Sequence, residues 1–442
     1  MRLNINPRSA CIGNVKIHEL SRVTELDAGL VTGPNICHSL DDVTLNVACS
    51  HESIQKIEKN LAIIVPCMNE EHSILEGVLH GIPHHCLIVL VSNSNAGNFK
   101  TECAMLTDFC INAQRQGIAF HQQDPGLAHT FCVAGMPHII DNKAGLNLPN
   151  SAGRIRNGKG EAMMIGTALA KLAGKRFVGF IDADNFVPGA VHEYCKVFAA
   201  GLHHALHTSP SSDHDGGPAS EKPLAMVRIK WKSKPKIVDS KLVAQESGRC
   251  SRVVNWWMNR LLTSLTGDDA QSELIQTANA GEHAMSIDLA LQLNFATGYA
   301  VEPFQLINAW ERSGVFPPSP PSTPPRFDGA RLPPALPALS KRKVRILQIE
   351  TLNPHIHDFG KGEEHIARMQ AQGLSTIYHS DLASQSLKDE LSEYMKVELA
   401  AVVREDGVPE RARVYPPMDG MDFEVLAGSV EEEAASLKVD GE

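Results

Sequence analysis

Four short apolar runs, separated by segments long enough for a helix, constrain the fold of this 442-residue chain more than any other feature. Each run is bounded by polar residues or by proline and glycine, which is typical of strands buried on both faces of a sheet. The runs occupy residues 61–66, 87–92, 117–122 and 177–182. Before the fourth run, Ala162, Ile165, Leu169 and Leu172 recur at the spacing of one apolar helix face. This alternation of strand and helix predicts an α/β fold with a mainly parallel central sheet.

Composition narrows the class of protein. The formal net charge is -10 and 21% of residues are charged, so a broad basic face of the kind that binds nucleic acid is disfavoured. The ten cysteines form no C-x-x-C pair, which favours reduced thiols over a disulfide framework. The N-terminus lacks an apolar signal region, and no apolar run approaches the roughly 20 residues that span a bilayer. We therefore expect a cytoplasmic protein with neither a membrane anchor nor a nucleic-acid partner.

Two segments interrupt the α/β pattern, and a third follows it. Residues 204–222 are rich in Ser, Asp, Gly and Pro, as expected for an inserted surface loop. A proline-rich stretch reads as an extended excursion, and the acidic region near the end is expected to be flexible. The predicted organisation is an N-terminal segment packed on the core (1–57), the core (58–312), a proline-rich insertion (313–340), a C-terminal part of the same domain (341–404) and a flexible tail (405–442).

Polar residues follow the ends of the predicted strands, where open α/β sheets bind their ligands. Pro66, Asn69 and Glu70 follow the first strand, and Ser92 ends the second. Short polar side chains there could bind the base and ribose of a nucleotide, although taken singly each is as expected of a turn.

After the fourth strand stands Asp182-Ala183-Asp184. Two carboxylates one residue apart at the end of a buried strand can hold a divalent cation, and their hard oxygen ligands suit Mg²⁺ or Mn²⁺. The tripeptide alone is a weak signal, but its position after a strand favours a cation site that binds phosphates.

The stretch Gly153–Glu161, GRIRNGKGE, has the spacing of a phosphate-binding P-loop. A P-loop needs an apolar strand before its first glycine and a Ser or Thr after its lysine, whereas here the lysine is followed by Gly160. Arg154, Arg156 and Lys159 nevertheless lie in a glycine-containing loop before a helix, where backbone N–H groups attract anions. We therefore predict a side contact to a diphosphate rather than an NTPase site.

Basic residues further along the chain are candidates for binding an anionic acceptor. Arg228, Lys230 and Lys232 alternate in a strand-like segment, so all three are expected to project to one side. Arg249 and Arg252 follow in the next predicted helix.

Acidic and histidine candidates complete the set. Asn279 and Glu282 stand in TANAGEH at the start of an apolar-periodic segment that we expect to be helical, and a carboxylate there suits hydrogen bonds from sugar hydroxyls. His355 and His357 follow another strand-like run, and either could complete the metal site; a mixed His and carboxylate set would also suit Zn²⁺.

The motifs VPCMNEE, HQQDPGLA, RIRNGKGEAMMIG, VGFIDADNF, NAGEHAM, FATGYAVEPF, QIETLNPHIH and STIYHS, in this order, closely resemble the mannosyl-3-phosphoglycerate synthase family, which are retaining glycosyltransferases of GT-A fold. The resemblance extends from about Gly13 to about Ala400, apart from the two interruptions. It implies a nucleotide-sugar-binding GT-A fold whose active site a C-terminal extension completes. It also implies transfer of mannose from GDP-mannose to 3-phosphoglycerate, in mannosylglycerate biosynthesis.

Carried over position by position, the resemblance implies three sets of residues. The donor-binding set is Pro66, Asn69, Glu70, Ser92, Arg156, Lys159, Asp182 and Ala183. The metal ligands are Asp182, Asp184 and a histidine of NPHIH, with a slight preference for His355 over His357. The catalytic set is Asp184, Lys159 and Glu282, the last as the carboxylate of the mannose pocket. Acceptor contacts among Lys230, Lys232, Arg249, Arg252 and Asn279 rest on charge and position alone.

Three alternatives stay open at this point. A glucosyl-3-phosphoglycerate synthase would share these motifs, because charge and spacing do not reveal the donor sugar. A nucleotidyltransferase would need a glycine-rich loop after the first strand, where this chain has PCMNEE. A silent nucleotide-sugar-binding scaffold would lack the metal-dependent turnover expected here with Mg²⁺ or Mn²⁺. A homodimer is plausible for this class.

Overall fold

A computed structural model describes residues 1–26, 45–141, 153–207, 223–238, 241–243, 248–269, 272–312, 342–356, 362–433 and 436–439. The predicted proline-rich insertion, most of the predicted loop at 204–222 and His357 lie outside these residues.

The strands are β1 (Arg2–Ile5), β2 (Ser9–Ile12), β3 (Val15–His18), β4 (Ser21–Glu25), β5 (Leu45–Ala48), β6 (Leu61–Cys67), β7 (Leu87–Ser92), β8 (Gly117–His121), β9 (Ile140–Asp141), β10 (Arg154–Ile155), β11 (Phe177–Phe180), β12 (Leu224–Lys230), β13 (Lys236–Val238), β14 (Lys241–Val243), β15 (His283–Ser286), β16 (Phe295–Ala296), β17 (Val344–Glu350), β18 (Val414–Tyr415) and β19 (Ser436–Val439). The helices are α1 (His51–Glu58), α2 (His72–Gly81), α3 (Ala96–Ala113), α4 (Pro125–Val133), α5 (Lys159–Leu172), α6 (Pro188–His207), α7 (Arg249–Thr266), α8 (Ile287–Gln292), α9 (Val301–Arg312), α10 (Glu363–Tyr378), α11 (Gln385–Glu398) and α12 (Phe423–Glu433).

The four strands predicted from the apolar runs lie side by side and parallel in the central sheet. Within the described residues thirteen strands join one sheet, whose path runs β19-β8-β7-β6-β11-β15-β12-β17-β4-β1-β5. Strands β8, β7, β6 and β11 are parallel neighbours, and β12 is parallel to β17. Because β15 runs antiparallel between β11 and β12, the sheet is mixed rather than wholly parallel.

Both faces of this sheet are covered, which explains why its strands read as continuous apolar runs. In β6, Ala62 and Ile64 belong to the core beneath α4, α5 and α7, whereas Ile63 and Val65 belong to the core beneath α1, α2 and α6. Alternate residues of a strand point to opposite faces, so one run supplies two cores.

Local signals fix where several helices begin. The side chain of Asn95 caps α3 by accepting hydrogen bonds from the backbone N–H groups of Gly97 (3.1 Å) and Asn98 (3.0 Å). Asp124 caps α4 in the same way and is followed by Pro125, a residue well suited to the first helical position. Both helices therefore start directly at the carboxyl edge of the sheet.

Two local predictions were wrong. His283 to Ser286, expected to open a helix, form β15, because hydrogen bonds to β11 and β12 override the short helical pattern that only α8 follows. His204–His207, expected to begin a loop, instead extend α6, where Leu202 and Ala205 are buried in the core.

The segment after residue 405 does not fit the expectation of a flexible tail, since much of its described part is packed. Tyr415, Met418 and Leu426 are fully buried. Strand β18 pairs with β16, and β19 adds to the sheet beside β8.

No helix of the described residues is both long enough and apolar enough to cross a membrane.

Candidate active site

The predicted strand-end residues meet at one edge of the sheet. Pro66 pairs with Val91 and Cys67 with Ser92 across β6 and β7, while Phe180 of β11 pairs with Ile64. Because these strands are parallel, their carboxyl ends and the residues that follow face the same side. The loop after β11 that carries the two aspartates therefore begins beside the turn after β6.

A hydrogen-bond network holds the turn after β6. Asn69 adopts a left-handed conformation (φ 56°), and its side-chain oxygen accepts hydrogen bonds from the backbone and side-chain N–H groups of Asn95, both at 2.9 Å. The backbone N–H of Asn69 donates to Ser94 Oγ at 2.7 Å, and Ser94 donates to the buried Glu102 at 2.6 Å. Asn69 thus lies in a turn held by several hydrogen bonds. Ser92, the last residue of β7, is buried and accepts a hydrogen bond from the backbone N–H of Ser94 at 3.2 Å.

The GKGE loop lies beside this turn. Gln122 donates hydrogen bonds to the carbonyl oxygens of Arg156 (2.6 Å) and Gly158 (3.1 Å), and Asn93 contacts Asn157. The Arg156 guanidinium is held by Asp141 at 2.9 Å. The loop is therefore attached to the ends of β7 and β8, and Lys159 is the first residue of α5.

Steric contact explains why Gly160 stands where a P-loop has Ser or Thr. A Cβ at Gly160 would lie 2.0 Å from the carbonyl oxygen of Ala296. No side chain fits there, because the obstacle is backbone, so Ser or Thr is excluded. The resemblance of GRIRNGKGE to a P-loop is therefore one of spacing only.

Lys159 forms the electrostatic centre of the site. Its ammonium lies 2.5 Å from Asp182 Oδ1 and 2.8 Å from Glu302 Oε1, with the lysine side chain only 14% exposed. Burial alone would lower the pKa of Lys159, but the two carboxylates raise it well above its usual value. The lysine is therefore charged throughout the physiological range.

Glu282 is fully buried beside this pair. Asn185 Nδ2 donates to Glu282 Oε1 and Trp231 Nε1 donates to Glu282 Oε2, each at 3.1 Å. Burial and the negative charge of Asp182 raise the pKa of Glu282 to about 8. In this structure the carboxylate lies behind Trp231 rather than in the cavity wall.

His355 is held on several sides and is only 2% exposed. Trp231 stacks on its ring with centroids 4.3 Å apart, and Tyr194 Oη lies 3.3 Å from Nδ1. The buried Glu193 accepts hydrogen bonds from the backbone N–H groups of Leu352 (2.5 Å) and Asn353 (2.8 Å), which fixes the segment leading to the histidine. His355 Nδ1 also lies 3.9 Å from Glu282 Oε1, so the ring is fixed beside that buried carboxylate.

A cavity at the sheet edge brings together six of the predicted residues, namely Lys159, Asp182, Asp184, Arg249, Asn279 and His355. Two carboxylates and an imidazole around one cavity have the chemistry of a divalent-cation site. The described residues contain no preassembled group of three or more His, Cys, Asp and Glu at metal-binding distances. The donor set thus fits a cation by its chemistry, and the Asp182 carboxylate here takes the Lys159 ammonium as its counter-ion.

The predicted acceptor residues do not all line one cavity. Arg249 and Asn279 line the cavity described above. Asn279 also lines a neighbouring cavity, together with Lys230 and Arg252, and Lys230 pairs with Glu350 at 3.1 Å. Lys232 is exposed and lines neither.

The basic row expected at 228, 230 and 232 was wrong. Strand β12 ends at Lys230, so the alternation does not continue to Lys232. Arg228 is fully buried and donates to the carbonyl oxygens of Thr277, Ala278 and Glu302, each at 3.0 Å.

Several residues of the cavity were missed by the sequence reasoning. Trp231, Lys234, Tyr299, Glu302 and His365 all line it. Lys234 lies 4.2 Å above the Trp231 ring. The run VRIKWKSKPK contains Lys234, but strand periodicity predicted Lys230 and Lys232 instead. Glu302 stands in the motif FATGYAVEPF but has no other local signal in the sequence.

Comparisons with known proteins show the family to which this chain belongs. The model of the family described as mannosyl-3-phosphoglycerate synthase matches residues 5–430. A mannosyl-3-phosphoglycerate synthase of Pyrococcus furiosus is 34% identical, over 96% of each chain, and one of Aeropyrum pernix is 29% identical, over 90% of each chain. A crystal structure of glucosyl-3-phosphoglycerate synthase from Mycobacterium tuberculosis, in complex with Mn²⁺, UDP and phosphoglyceric acid, gives a TM-score of 0.42 at 17% identity and covers 83% of this chain and 92% of that one. The chain therefore belongs to the mannosyl-3-phosphoglycerate synthase family and is a glycosyltransferase.

Proposed function

We propose that this enzyme transfers mannose from GDP-mannose to the hydroxyl of 3-phosphoglycerate, with retention of configuration and release of GDP. The observation that carries the proposal is the convergence of Lys159, Asp182, Asp184 and His355 on one cavity at the carboxyl edge of the sheet, in a chain that matches this family over nearly its whole length.

The donor is proposed to bind across the strand ends. The turn held by Asn69 and the buried Ser92 would face the guanosine, together with Pro66 and Glu70. Lys159, the first residue of α5, and Arg156, in the loop before that helix, supply positive charge for the diphosphate. The loop lies close to the strand ends because Asn93 and Gln122, which follow β7 and β8, contact it.

A divalent cation, Mg²⁺ or Mn²⁺, would be held by Asp182, Asp184 and His355. When bound, it supplies positive charge that neutralises the leaving diphosphate. Lys159 then has two further functions that need no cation: its ammonium neutralises Asp182 and Glu302 and stands beside the departing phosphate.

Retention is proposed to occur by attack from the same face as the leaving group. The acceptor oxygen forms a bond to the anomeric carbon, the bond from that carbon to the phosphate oxygen breaks, and the acceptor proton passes to that phosphate oxygen. Glu282 is proposed to act on this step through Trp231 and Asn185, because both of its oxygens are engaged by them.

The acceptor's phosphate and carboxylate need cationic and polar partners. Arg249, Lys234 and Asn279 line the cavity, and the side-chain oxygen of Asn279, buried with no hydrogen-bond partner in the described structure, is suited to accept a hydrogen bond from a substrate hydroxyl, while the two cations suit the anionic groups. These three residues are the proposed acceptor contacts, with Lys230 and Arg252 at the adjoining cavity as an outer set.

The free thiols of the described cysteines are in keeping with a cytoplasmic enzyme.

The test is GDP or UDP release by the purified chain with GDP-mannose, GDP-glucose or UDP-glucose, each paired with 3-phosphoglycerate or glycerate, in Mg²⁺, Mn²⁺ or EDTA. We expect release only with GDP-mannose plus 3-phosphoglycerate and a divalent ion. Preference for a glucose donor would instead identify a glucosyl-3-phosphoglycerate synthase, and no release with any pair would indicate a silent scaffold. Asp184→Ala should abolish turnover, while Asp108→Ala, on an exposed position of α3, should not change it.

A further inference from the structure

A buried carboxylate lies directly behind the lysine of the GKGE loop. Glu161, in the first turn of α5, is fully buried. Its Oε1 accepts hydrogen bonds from Thr297 Oγ1 at 2.5 Å and from Tyr415 Oη at 2.6 Å. Burial raises the pKa of Glu161, whereas these two hydroxyl donors favour its ionised form. Both hydroxyls must point their protons at the carboxylate, so the arrangement is directional.

The same carboxylate packs against the backbone that carries Lys159. A Cβ placed on Gly158 would lie 2.2 Å from Glu161 Oε2 and 3.3 Å from the backbone nitrogen of Gly298. On the other side of the lysine, Gly160 lies against the carbonyl oxygen of Ala296. The peptide units flanking Lys159 are therefore held between the Glu161 side chain and residues 296–298.

Residues 296–298 are in turn fixed by the C-terminal segment. Strand β18 pairs Tyr415 with Phe295, and the backbone N–H of Thr297 donates to the carbonyl oxygen of Arg413 at 2.9 Å. Asn294 Nδ2 donates to the carbonyl oxygen of Tyr415 at 3.0 Å. Tyr415 is thus linked to the lysine loop in two ways. Its backbone pairs with Phe295 in β16, and its hydroxyl donates to Glu161.

We infer that Tyr415 and Thr297 are positioning residues of the transferase: by holding the Glu161 carboxylate, they set the Gly158-Lys159-Gly160 backbone and so place the Lys159 ammonium at Asp182. The role of Lys159 in binding the donor rests on the proposed function. The placement of its ammonium by Glu161, Thr297 and Tyr415 does not depend on that function. It gives the segment after residue 405, outside the predicted core, a direct part in forming the donor site.

The geometry is tested first without any substrate. Competitive acetylation followed by mass spectrometry compares the labelling rate of Lys159 with that of Lys171, an exposed lysine at the other end of the same helix. We expect Tyr415→Phe to raise the relative rate at Lys159 about fivefold, because a hydrogen bond to a charged group is lost. Thr297→Val, which keeps the side-chain shape, should act in the same direction, and Thr297→Ser, which keeps the hydroxyl, should label like the unaltered chain.

A matched control is Tyr394→Phe, which removes the hydroxyl of a tyrosine that packs on Trp257 with ring centroids 5.5 Å apart. It should leave Lys159 labelling unchanged. Equal Lys159 rates in the Tyr415→Phe, Thr297→Val and Tyr394→Phe variants would overturn the inference. Faster labelling at every lysine of the Tyr415 variant would show general unfolding, and the Thr297→Val result then decides.

Kinetics provide the second readout. A positioning role predicts a rise of about tenfold in KM for the nucleotide sugar in Tyr415→Phe, with KM for the acceptor unchanged, since Lys159 lies on the donor side. Equal changes in both KM values, or none, would contradict the role. If no donor is turned over by the unaltered chain, the proposed function fails while the labelling result still stands.

Discussion

The Lys159 ammonium and the Asp182 carboxylate lie 2.5 Å apart although 23 positions separate them in sequence, and Glu302 holds the same ammonium from the other side at 2.8 Å. The Glu302 side chain is 5% exposed and that of Asp182 is 32% exposed. The lysine charge compensates the buried Glu302 carboxylate, and we therefore expect it to stabilise the fold as well as to contribute to donor binding.

Lys159→Met is therefore expected to lower kcat by about 10²- to 10³-fold, as for the loss of one preorganised electrostatic contact. Steady-state kinetics with the nucleotide sugar measure this, and the unfolding midpoint reports the accompanying loss of stability. Lys171→Met is the control, because Lys171 is exposed in the last turn of the same helix. A Lys159→Met enzyme with near-normal kcat would exclude Lys159 from the catalytic set.

Gly160→Ser gives the chain the G-x-x-x-x-G-K-S sequence of a P-loop. We expect it to abolish transfer without creating NTPase activity. The added Cβ would lie 2.0 Å from the Ala296 carbonyl oxygen, so α5 or the loop after β16 must move. We expect kcat/KM to fall by at least about 10²-fold, since small displacements of catalytic groups have effects of this size. GDP release and nucleotide hydrolysis are measured together.

The chain offers a matched control in Gly189, which is also the second residue of its helix but has no atom within 4 Å of the position that an added Cβ would take. Gly189→Ser should retain full transfer. Normal transfer by the Gly160→Ser enzyme would mean that the loop tolerates a shift we do not expect.

The sheet and the strand-end residues were predictable because their signals are local. The apolar runs at 61–66 and 87–92 became β6 and β7, and the parallel arrangement put Asp182 and Asp184 at the edge where open sheets bind ligands. The ordered motifs also identified the family, which the comparisons confirm.

The rest depended on contacts between distant segments. Glu302 and Tyr415 follow the GKGE loop by well over a hundred residues and lie on separate elements, so no periodicity links them to Lys159 or Glu161. Lys234 was not predicted because the prediction continued the strand alternation to Lys232, whereas β12 ends at Lys230. The tail was misread because its acidic composition hid a few deeply buried residues such as Tyr415.

Glu193 offers a test of His355 as the metal ligand. Its carboxylate accepts three hydrogen bonds from Leu352 and Asn353, including Asn353 Nδ2 at 2.7 Å. In Glu193→Gln an amide N–H must face one of these donors, so the segment before His355 shifts. We expect the Mn²⁺ concentration for half-maximal activity to rise about tenfold, as when outer partners of metal ligands are altered, with kcat at saturating Mn²⁺ changed far less.

Direct Mn²⁺ binding by the substrate-free protein, followed by electron paramagnetic resonance, gives a readout independent of turnover. Glu311→Gln serves as the control, because Glu311 accepts a hydrogen bond from Ser380 at 2.7 Å away from the cavity. Unchanged Mn²⁺ binding in Glu193→Gln would argue against His355 as a ligand.

Two histidines that do not line the cavity, His18 of β3 and His204 of α6, predict acid sensitivity. Burial, aided by the charges of Lys16, His204 and Arg345, lowers the pKa of His18 to about 4, and burial with Arg345 and His203 lowers that of His204 to about 4. The unfolded chain binds these protons at its usual pKa of 6.5, so below that pH it holds more protons than the folded chain. Stability is therefore complete above pH 6.5 and is lost as the pH falls toward 4.

Replacing one of these histidines should remove its contribution to the acid-induced loss of unfolding free energy. At about pH 5 each histidine lowers the free energy of unfolding by about 2 kcal/mol relative to neutral pH, from the difference between its folded and unfolded pKa values. His18→Gln should thus flatten the fall in unfolding free energy between about pH 7.5 and about pH 5 by this amount. Denaturant unfolding at the two pH values measures it, with His51→Gln as the exposed control. An identical pH dependence in the His18→Gln and unaltered chains would show that His18 takes up its proton in the folded state as readily as in the unfolded one.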